Sequence, residues 1–167
     1  MATALLVYVI VERLLELVIA RRNTARLMAR GAVEAGAAHY PVMIVMHVSW
    51  LVAIVAWAAV TPRDVSVPLL ALFLLLQMFR IWVMLSLGEY WTTRIITLPD
   101  APLVRRGPYK FLRHPNYVVV VLEIALLPLV FGAWQIAVVF SVLNAAMLWV
   151  RIRAEDEVLS VRRPAAS

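Results

Sequence analysis

The chain has 167 residues, of which 64% are hydrophobic and 16% charged, and its mean hydropathy of +0.88 indicates an integral membrane protein rather than a soluble domain. It contains no cysteine, which excludes disulfides and thiolate metal sites, and its three scattered histidines form no recognisable ligand set, so we predict no metal. The net charge of +6 collects between the apolar runs, where it orients a chain in the bilayer, so we expect membrane lipids and no nucleic acid as partners.

The first apolar run covers residues 2–20 and is long enough to cross a bilayer. Glu12, Arg13 and Glu16 lie inside it. Charges at that depth face the protein interior or a wet cavity, and Arg13 and Glu16 have the i, i+3 spacing of an ion pair. Two interpretations stay open for Arg13 and Glu16, a structural ion pair and a role in substrate binding.

The second and third runs cover residues 42–60 and 68–87. His47 is alone in the second run, and we interpret it as a hydrogen-bonded packing residue. Arg80 lies near the middle of the third run, too deep to reach water easily, so we expect it to face protein and we add it to the candidate substrate-binding residues.

The connection 88–114 is the longest one between apolar runs, which is typical of a functional or re-entrant element. It opens with the aromatic pair Tyr90-Trp91, of which Trp91 is a further candidate substrate-binding residue.

Turn, aromatic and basic residues follow one another in the stretch R-R-G-P-Y-K-F-L-R-H-P-N-Y at 105–117, which is typical of a functional element and not of a linker. Gly107-Pro108 is a turn signal, and Pro115 suits the first turn of a helix, where its missing N–H breaks no bond. The free N–H groups of that first turn favour an anion, with Arg113 and His114 beside them. The alternative is a basic loop that only touches lipid headgroups.

The fourth and fifth runs, 115–131 and 133–150, follow each other so closely that they predict a tight helical hairpin. We expect Pro128 to break the fourth run, which also carries Glu123. The polar sequence after the fifth run can continue its helix to about Leu159.

A polar stripe follows from that continuation. At about 100° per residue, Asn144, Arg151 and Glu155 share one helical face, and Asp156 turns onto the adjoining face. Arg153 and Glu157 are spaced as a solvated i, i+4 pair. Asn144 is harder to explain as a surface residue, because it lies within an apolar run.

Charge predicts the orientation. The segments 21–40, 88–114 and 151–167 contain four, five and four Lys or Arg residues, against Arg63 alone on the other side. The positive-inside rule then predicts an all-α protein with five transmembrane helices in one domain, 1–167, with the N-terminus outside and these three segments in the cytoplasm. The predicted spans are 2–20, 42–60, 68–87, 115–131 and 133–150.

The order G-P-Y-x-x-x-R-H-P-x-Y at 107–117, together with R-I-x-x-E-[E/D]-x-x-L at 151–159, resembles the isoprenylcysteine carboxyl methyltransferase family of integral membrane enzymes. The wider match includes R-G-A-V-E-A-G-x-x-H-Y-P at 30–41 and Y-W-T-T-R-I-I-T-L-P at 90–99. It is most similar to a bacterial branch that includes alkylpyrone methyltransferases, and it covers nearly the whole chain.

The resemblance implies that S-adenosylmethionine is the cofactor, in a cytoplasmic-side site formed by the last two helices, the preceding loop and the C-terminal tail. It implies a pocket lined by His114, Pro115 and Tyr117 and closed by Glu155 and the next residue, here Asp156 where the family has Glu. Physical reasoning agrees, since the cofactor's carboxylate suits Arg113 and His114, its ammonium and ribose suit acidic groups, and Tyr109 or Tyr117 can stack on adenine. The predicted cofactor-binding residues are Tyr109, Arg113, His114, Pro115, Tyr117, Glu155 and Asp156.

Arg151 and Asn144 are the candidate catalytic residues, because the family links the Arg of its second motif to acceptor handling. The prediction is therefore O-methylation of a carboxylate or acidic enol on a lipophilic or lipid-modified acceptor, in the bacterial inner membrane with the site facing the cytoplasm. Two alternatives are kept, a sterol-reductase-like enzyme that uses a nicotinamide cofactor and a non-enzymatic membrane scaffold.

Overall fold

A computed structural model describes residues 1–61, 64–99, 101 and 104–161, with side chains up to Glu157. Arg63, residues 162–167 of the tail and the side chain of Leu159, on which parts of the topology and motif predictions rest, lie outside this description. The fold is all-α apart from one short β-ribbon. Its helices are α1 Ala2–Ala29, α2 Tyr40–Val60, α3 Val67–Leu87, α4 Pro115–Val130 and α5 Trp134–Val161, and its strands are β1 Val33–Ala35 and β2 Ile95–Thr97.

Three helical stretches are long and apolar enough to cross a membrane, namely Ala37–Val60, Val67–Tyr90 and Trp134–Glu157. The first two are α2 and α3 with short flanking turns, and the third is α5 as far as Glu157. Many of their large apolar side chains point outward, including Val45, Leu75 and Val142. In an integral membrane protein such a surface contacts lipid. Of the five predicted spans, α1 is interrupted by charges and α4 is shorter, with 16 residues.

α4 lies at the centre of the fold, between α3 and α5. Its buried side chains Val119, Ile124 and Leu127 belong to the main hydrophobic core. α4 and α5 form the tight hairpin that the sequence predicts, since one ends at Val130 and the other begins at Trp134. This hairpin brings the start of α4 beside the end of α5.

The expected break at Pro128 is wrong, because α4 continues through it to Val130. Pro128 has no N–H, so the carbonyl of Ile124 loses its helical partner. The indole N–H of Trp50 on α2 donates to that carbonyl at 3.2 Å, which explains how the helix accommodates the proline. Trp57, two turns along α2, donates in the same way to the carbonyl of Phe131 at 3.2 Å.

α1 is longer than the apolar run 2–20, because it continues to Ala29. The added residues are mostly Ala, Arg, Leu and Met, which favour helix, so the basic segment at 21–40 begins as helix and not as a loop. Within this extension the buried Asn23 donates to the carbonyls of Gly88 at 3.1 Å and Trp91 at 2.9 Å. These bonds fix the end of α1 to the end of α3.

The ribbon was not predicted. Its antiparallel strands pair Val33 with Thr97 and Ala35 with Ile95. An ion pair between Arg94 and Glu34 at 2.7 Å closes its exposed side. The connections α1–α2 and α3–α4 therefore lie at the same end of the bundle, where α5 also packs on both strands.

Candidate active site

The loop before α4 is held in place by the end of α3. Arg106 donates to the carbonyl of Ser86 at 2.7 Å, and Gly107 adopts a positive φ of 56°. A Cβ at Gly107 would overlap the Ser86 hydroxyl, so only glycine allows this close approach. The turn Gly107–Lys110 follows, and the chain reaches Pro115, which opens α4 in the first-turn position predicted for it.

Four side chains converge where α4 begins and α5 ends. Tyr117 donates its hydroxyl to Glu155 at 2.5 Å, and its ring stacks on His114 with centroids 5.3 Å apart. His114 Nδ1 lies 3.6 Å from Glu155, and His114 Nε2 lies 3.6 Å from Asp156. The hairpin thus joins the two sequence motifs, which are far apart in the chain.

This cluster and the neighbouring Asn116 contain buried polar atoms that have no hydrogen bond. Within the described part of the chain, the buried atoms His114 Nε2, Asn116 Oδ1 and Asp156 Oδ1 are unsatisfied. Arg113 lies 2.8 Å from Asp156 Oδ1 and forms an ion pair, but without the alignment of a hydrogen bond. Buried polar groups normally have hydrogen bonds, so a group of donors and acceptors without them indicates a surface shaped for a polar ligand.

Tyr109 lies in the turn before α4, partly buried against the core. Burial raises the pKa of its phenol well above the ordinary value, and the negative charge of Glu155 and the neighbouring Tyr117 add to this effect. Tyr109 therefore stays neutral at physiological pH and can offer an uncharged aromatic face.

Arg151 lies one turn before Glu155 on α5, and only 6% of it is exposed. Its guanidinium donates to the carbonyl of Thr93 at 3.1 Å and to the sulfur of Met43 at 2.9 Å, and its Cζ lies 6.0 Å from the centroid of the Tyr117 ring. None of the described carboxylates forms an ion pair with it. Because a buried charge normally requires a charged partner, Arg151 is suited to bind an anion.

Asn144 and Trp91 are also buried, 2% and 3% exposed. Asn144 lies on the same buried side of α5 as Arg151, and its Oδ1 has no hydrogen bond among the residues that the structure covers. Trp91 Nε1 is unpaired in the same sense, although the main-chain oxygen of Trp91 accepts from Asn23. Arg80 lies near the Trp91 ring, with its Cζ 6.0 Å from the centroid.

The other predicted substrate-binding residues form a separate charged network between α1, α3 and α4. Arg80 binds Glu16 at 2.5 Å and Glu123 at 2.6 Å, and Arg13 binds Glu16 at 3.1 Å and Glu123 at 2.9 Å. The i, i+3 pair of Arg13 and Glu16 is thus present. Glu12 pairs with Arg13 at 3.1 Å. These charged side chains form ion pairs with one another, which is the arrangement of a structural ion cluster.

Several contacts of this region were missed from the sequence. Glu123 was noted as an intramembrane charge, but its pairing with Arg13 and Arg80 depends on which helices are neighbours. Met43 and Thr93 hold Arg151 through a thioether and a main-chain carbonyl, which leave no signal in a sequence. His47 forms the expected local bond, with Nδ1 2.8 Å from the carbonyl of Met43.

Comparison with known proteins identifies relatives. A family model described as isoprenylcysteine carboxyl methyltransferase (ICMT) family matches residues 69–161, which run from α3 to the end of α5. The chain is 41% identical over 158 residues to "Uncharacterized protein YpbQ" of Bacillus subtilis, covering 93% of this chain and 94% of that protein. An "Uncharacterized protein" of Haemophilus influenzae is 28% identical over 152 residues, covering 89% and 88% of the two chains. No solved structure shows significant similarity.

Proposed function

Because the chain belongs to the isoprenylcysteine carboxyl methyltransferase family, a family of membrane methyltransferases, we propose that it methylates an oxygen of a lipophilic acceptor with S-adenosylmethionine as the methyl donor. The acceptor oxygen is anionic when it reacts, either a carboxylate or an acidic enol. An alkylpyrone-like acceptor and an isoprenylcysteine-like acceptor both satisfy this chemistry.

The observation that carries the proposal is the position of Arg151. It is a buried cation without a carboxylate in ion-pair contact among the described residues, and it lies between the polar cluster at His114 and the start of α2. A buried positive charge without a charged partner is stabilised when an anionic ligand binds next to it. An acceptor oxygen bound there would stand next to the candidate cofactor site.

The cluster at the start of α4 fits S-adenosylmethionine. His114 Nε2 can bind a carboxylate or a hydroxyl, and the oxygens of Asn116 and Asp156 that have no hydrogen bond can accept one from an ammonium or from ribose hydroxyls. Tyr109, Arg113, Pro115, Tyr117 and Glu155 would complete the pocket. When bound, the cofactor supplies an electrophilic methyl group on a positively charged sulfur.

The protein's own contribution is alignment in a dry environment. Arg151 presents planar N–H donors that can hold an oxyanion in one orientation, and its contacts with Met43 and Thr93 keep the guanidinium from turning. Water solvates an oxyanion strongly, so holding it in a site with little water, in line with the methyl group, lowers the barrier. Asn144 can bind a further polar group of the acceptor.

The proposed topology has five spans, with the site at the cytoplasmic face of a bacterial inner membrane. α1 spans despite its charges because Arg13 and Glu16 are neutralised by partners on α3 and α4. The ribbon supports this arrangement, since it brings two of the three basic segments to one end of the bundle. The acceptor's lipid tail can then enter from the bilayer while the cofactor enters from water.

Calorimetry in detergent tests the proposal, with S-adenosylmethionine, S-adenosylhomocysteine and reduced nicotinamide dinucleotide as separate ligands. We expect saturable binding of the two sulfur compounds and none of the nicotinamide. Nicotinamide binding alone would identify a reductase, and binding of none of the three would favour a scaffold.

A further inference from the structure

His39 is a histidine that the proposed site does not yet use. It ends the short turn Ala37–His39 directly before α2, one helical turn ahead of Met43. Residues four apart face the same way on a helix, and Met43 is the residue whose sulfur accepts from Arg151. His39 therefore lies on the side of α2 that packs on α5, and the charge of Arg151 acts on its ring.

The ring of His39 is seated on Gly36. Gly36 has a positive φ of 61°, and a Cβ built on it would overlap His39 Cε1. The imidazole is thus packed over the bare backbone of a glycine, at the end of strand β1. Its side chain forms no hydrogen bond with any residue in the described part of the chain, and the residue is only half-buried. Both ring nitrogens remain available to a ligand.

Arg151 lies between two sets of residues. On one side are Tyr117 and Glu155, which belong to the candidate cofactor pocket. On the other side are Met43, Thr93 and His39, around the start of α2 and the ribbon. An acceptor held by Arg151 and facing the cofactor would have the half-buried His39, directly before α2, on its far side.

On this arrangement, which rests on the proposed function, we infer that His39 removes the proton from a hydroxyl-bearing acceptor held by Arg151. The acceptor O–H proton moves to a ring nitrogen of His39, and an electron pair of the oxygen forms the new O–CH3 bond. The C–S bond of the methyl donor breaks, and its electrons stay on sulfur as the neutral thioether. The protonated ring then returns the proton to water at the membrane surface.

This inference extends the acceptor class of the proposed function from carboxylates and acidic enols to weakly acidic hydroxyls. A carboxylate is already ionised at neutral pH and requires no base, whereas a phenol-like hydroxyl has a pKa of about 10 and does. The partial burial of the ring and the positive charge of Arg151 both lower the pKa of His39, which favours the neutral imidazole that can accept a proton. Arg151 also favours the oxyanion that forms.

The experiment compares two probes with the same long alkyl tail, an alkylphenol and a fatty carboxylate, in detergent with S-adenosylmethionine. We expect His39→Gln to lower kcat on the alkylphenol by about a hundredfold or more at pH 7, with little change in KM, and to leave turnover of the carboxylate within about threefold. The deficit should shrink as pH approaches the phenol's own pKa. Stabilisation by S-adenosylhomocysteine should be unchanged.

Two further variants sharpen the comparison. Gly36→Ala leaves His39 in the chain but displaces its ring, so it should lower kcat on the alkylphenol and spare the carboxylate, as His39→Gln does. His47→Gln changes a histidine two turns deeper on α2, which is bound to a main-chain carbonyl, and should leave both reactions near normal.

The outcomes separate the inference from the proposed function. If His39→Gln loses turnover equally on both probes and at every pH, His39 is only a packing residue. If the wild-type protein methylates the carboxylate alone, a hydroxyl acceptor is excluded. Either result overturns this inference and leaves the proposed function standing. Stabilisation by S-adenosylhomocysteine with transfer to neither probe also overturns the inference and leaves cofactor binding intact. Absence of both stabilisation and transfer overturns the proposed function together with it.

Discussion

The indole of Trp50 donates to the carbonyl of Ile124, the one main-chain acceptor in α4 that Pro128 deprives of its helical partner. The bond joins α2 to the central helix at a point where both are buried. An unpaired carbonyl in an apolar environment costs several kcal/mol in lipid, so the tryptophan and the proline are expected to depend on each other.

We predict a coupling between Trp50→Phe and Pro128→Ala. Trp50→Phe removes the donor and should lower the free energy of unfolding by about 1–3 kcal/mol, apart from any loss of packing. Alanine at position 128 supplies a main-chain N–H to the Ile124 carbonyl, so the cost of Trp50→Phe should be smaller in that background. Reversible unfolding in mixed detergent micelles gives the double-mutant cycle.

Trp57→Phe is the matched control for that cycle. Trp57 donates to the carbonyl of Phe131, which Pro128 does not affect. Its cost should be the same with proline or alanine at position 128. A cycle with no coupling between Trp50 and Pro128 would mean that the indole contributes only through packing.

The polar cluster gives a prediction on cofactor affinity. Tyr117→Phe removes the hydroxyl that donates to Glu155, and His114→Ala removes the ring stacked on Tyr117. A charge-assisted hydrogen bond such as the one from Tyr117 to Glu155 is worth about 1.5–3 kcal/mol. If the loss of this alignment appears in full as a loss of binding free energy, S-adenosylhomocysteine should bind about ten- to a hundredfold more weakly. Tyr8→Phe, on the exposed face of α1, is the control. Unchanged ligand stabilisation in both variants would place the pocket elsewhere.

Arg151 and Arg153 form a second matched pair. Arg151→Lys keeps the charge but loses the planar fork, so turnover with a working acceptor should fall by about thirty- to a thousandfold, equivalent to 2–4 kcal/mol, while cofactor affinity stays near normal. Arg153 lies outside, over the Trp149 ring at 3.8 Å, and Arg153→Lys should change little. Near-normal turnover of Arg151→Lys would make this residue a headgroup anchor and remove it from the mechanism.

The charged network predicts a stability effect. Glu123→Gln keeps the shape of the side chain but leaves Arg13 and Arg80 with less negative charge, so unfolding should become easier by about 3–5 kcal/mol. Glu89→Gln also removes a carboxylate from an arginine pair, with Arg30 at 3.0 Å, but this pair is exposed and should make no measurable difference. Equal stability of the two variants would show that the buried network is not needed for folding.

The topology is tested by labelling single cysteines in a chain that has none. Asp64→Cys lies in the connection between α2 and α3, and Arg153→Cys lies near the end of α5. We expect a membrane-impermeant thiol reagent to reach position 64 from outside intact cells and position 153 only after the membrane is opened. Labelling of both positions from the same side would contradict five spans.

Much of the helical structure could be predicted because apolar runs and proline positions are local signals. Pro115 begins α4 for the reason given from sequence, since its missing N–H is harmless there. The hairpin of α4 and α5 also followed from local spacing. Pro128 was misjudged because its effect depends on a partner in another helix, Trp50, and no local pattern reveals that donor.

In the candidate site, too, the features set by local sequence could be predicted and those set by packing between distant segments could not. Asn144 and Arg151 lie on one buried side of α5, as the helical period indicates. The contacts of Arg151 with Met43 and Thr93 depend on packing between distant segments. Strands of three residues, such as those of the ribbon, are too short for an alternating pattern to be recognised.

The charges of α1 have a consequence for the order in which the helices enter the membrane. Arg13 and Glu16 find their partners on Arg80 and Glu123, which leave the ribosome only after α1 is complete. Until then Arg13 has only Glu12 and Glu16 of α1 itself as partners, which leaves this part of the helix with a net negative charge and makes it a poor substrate for the insertion machinery. In the proposed five-span topology, the helix that is synthesised first is therefore the last to insert fully, and we expect a nascent chain halted before Glu123 to leave α1 at the membrane surface.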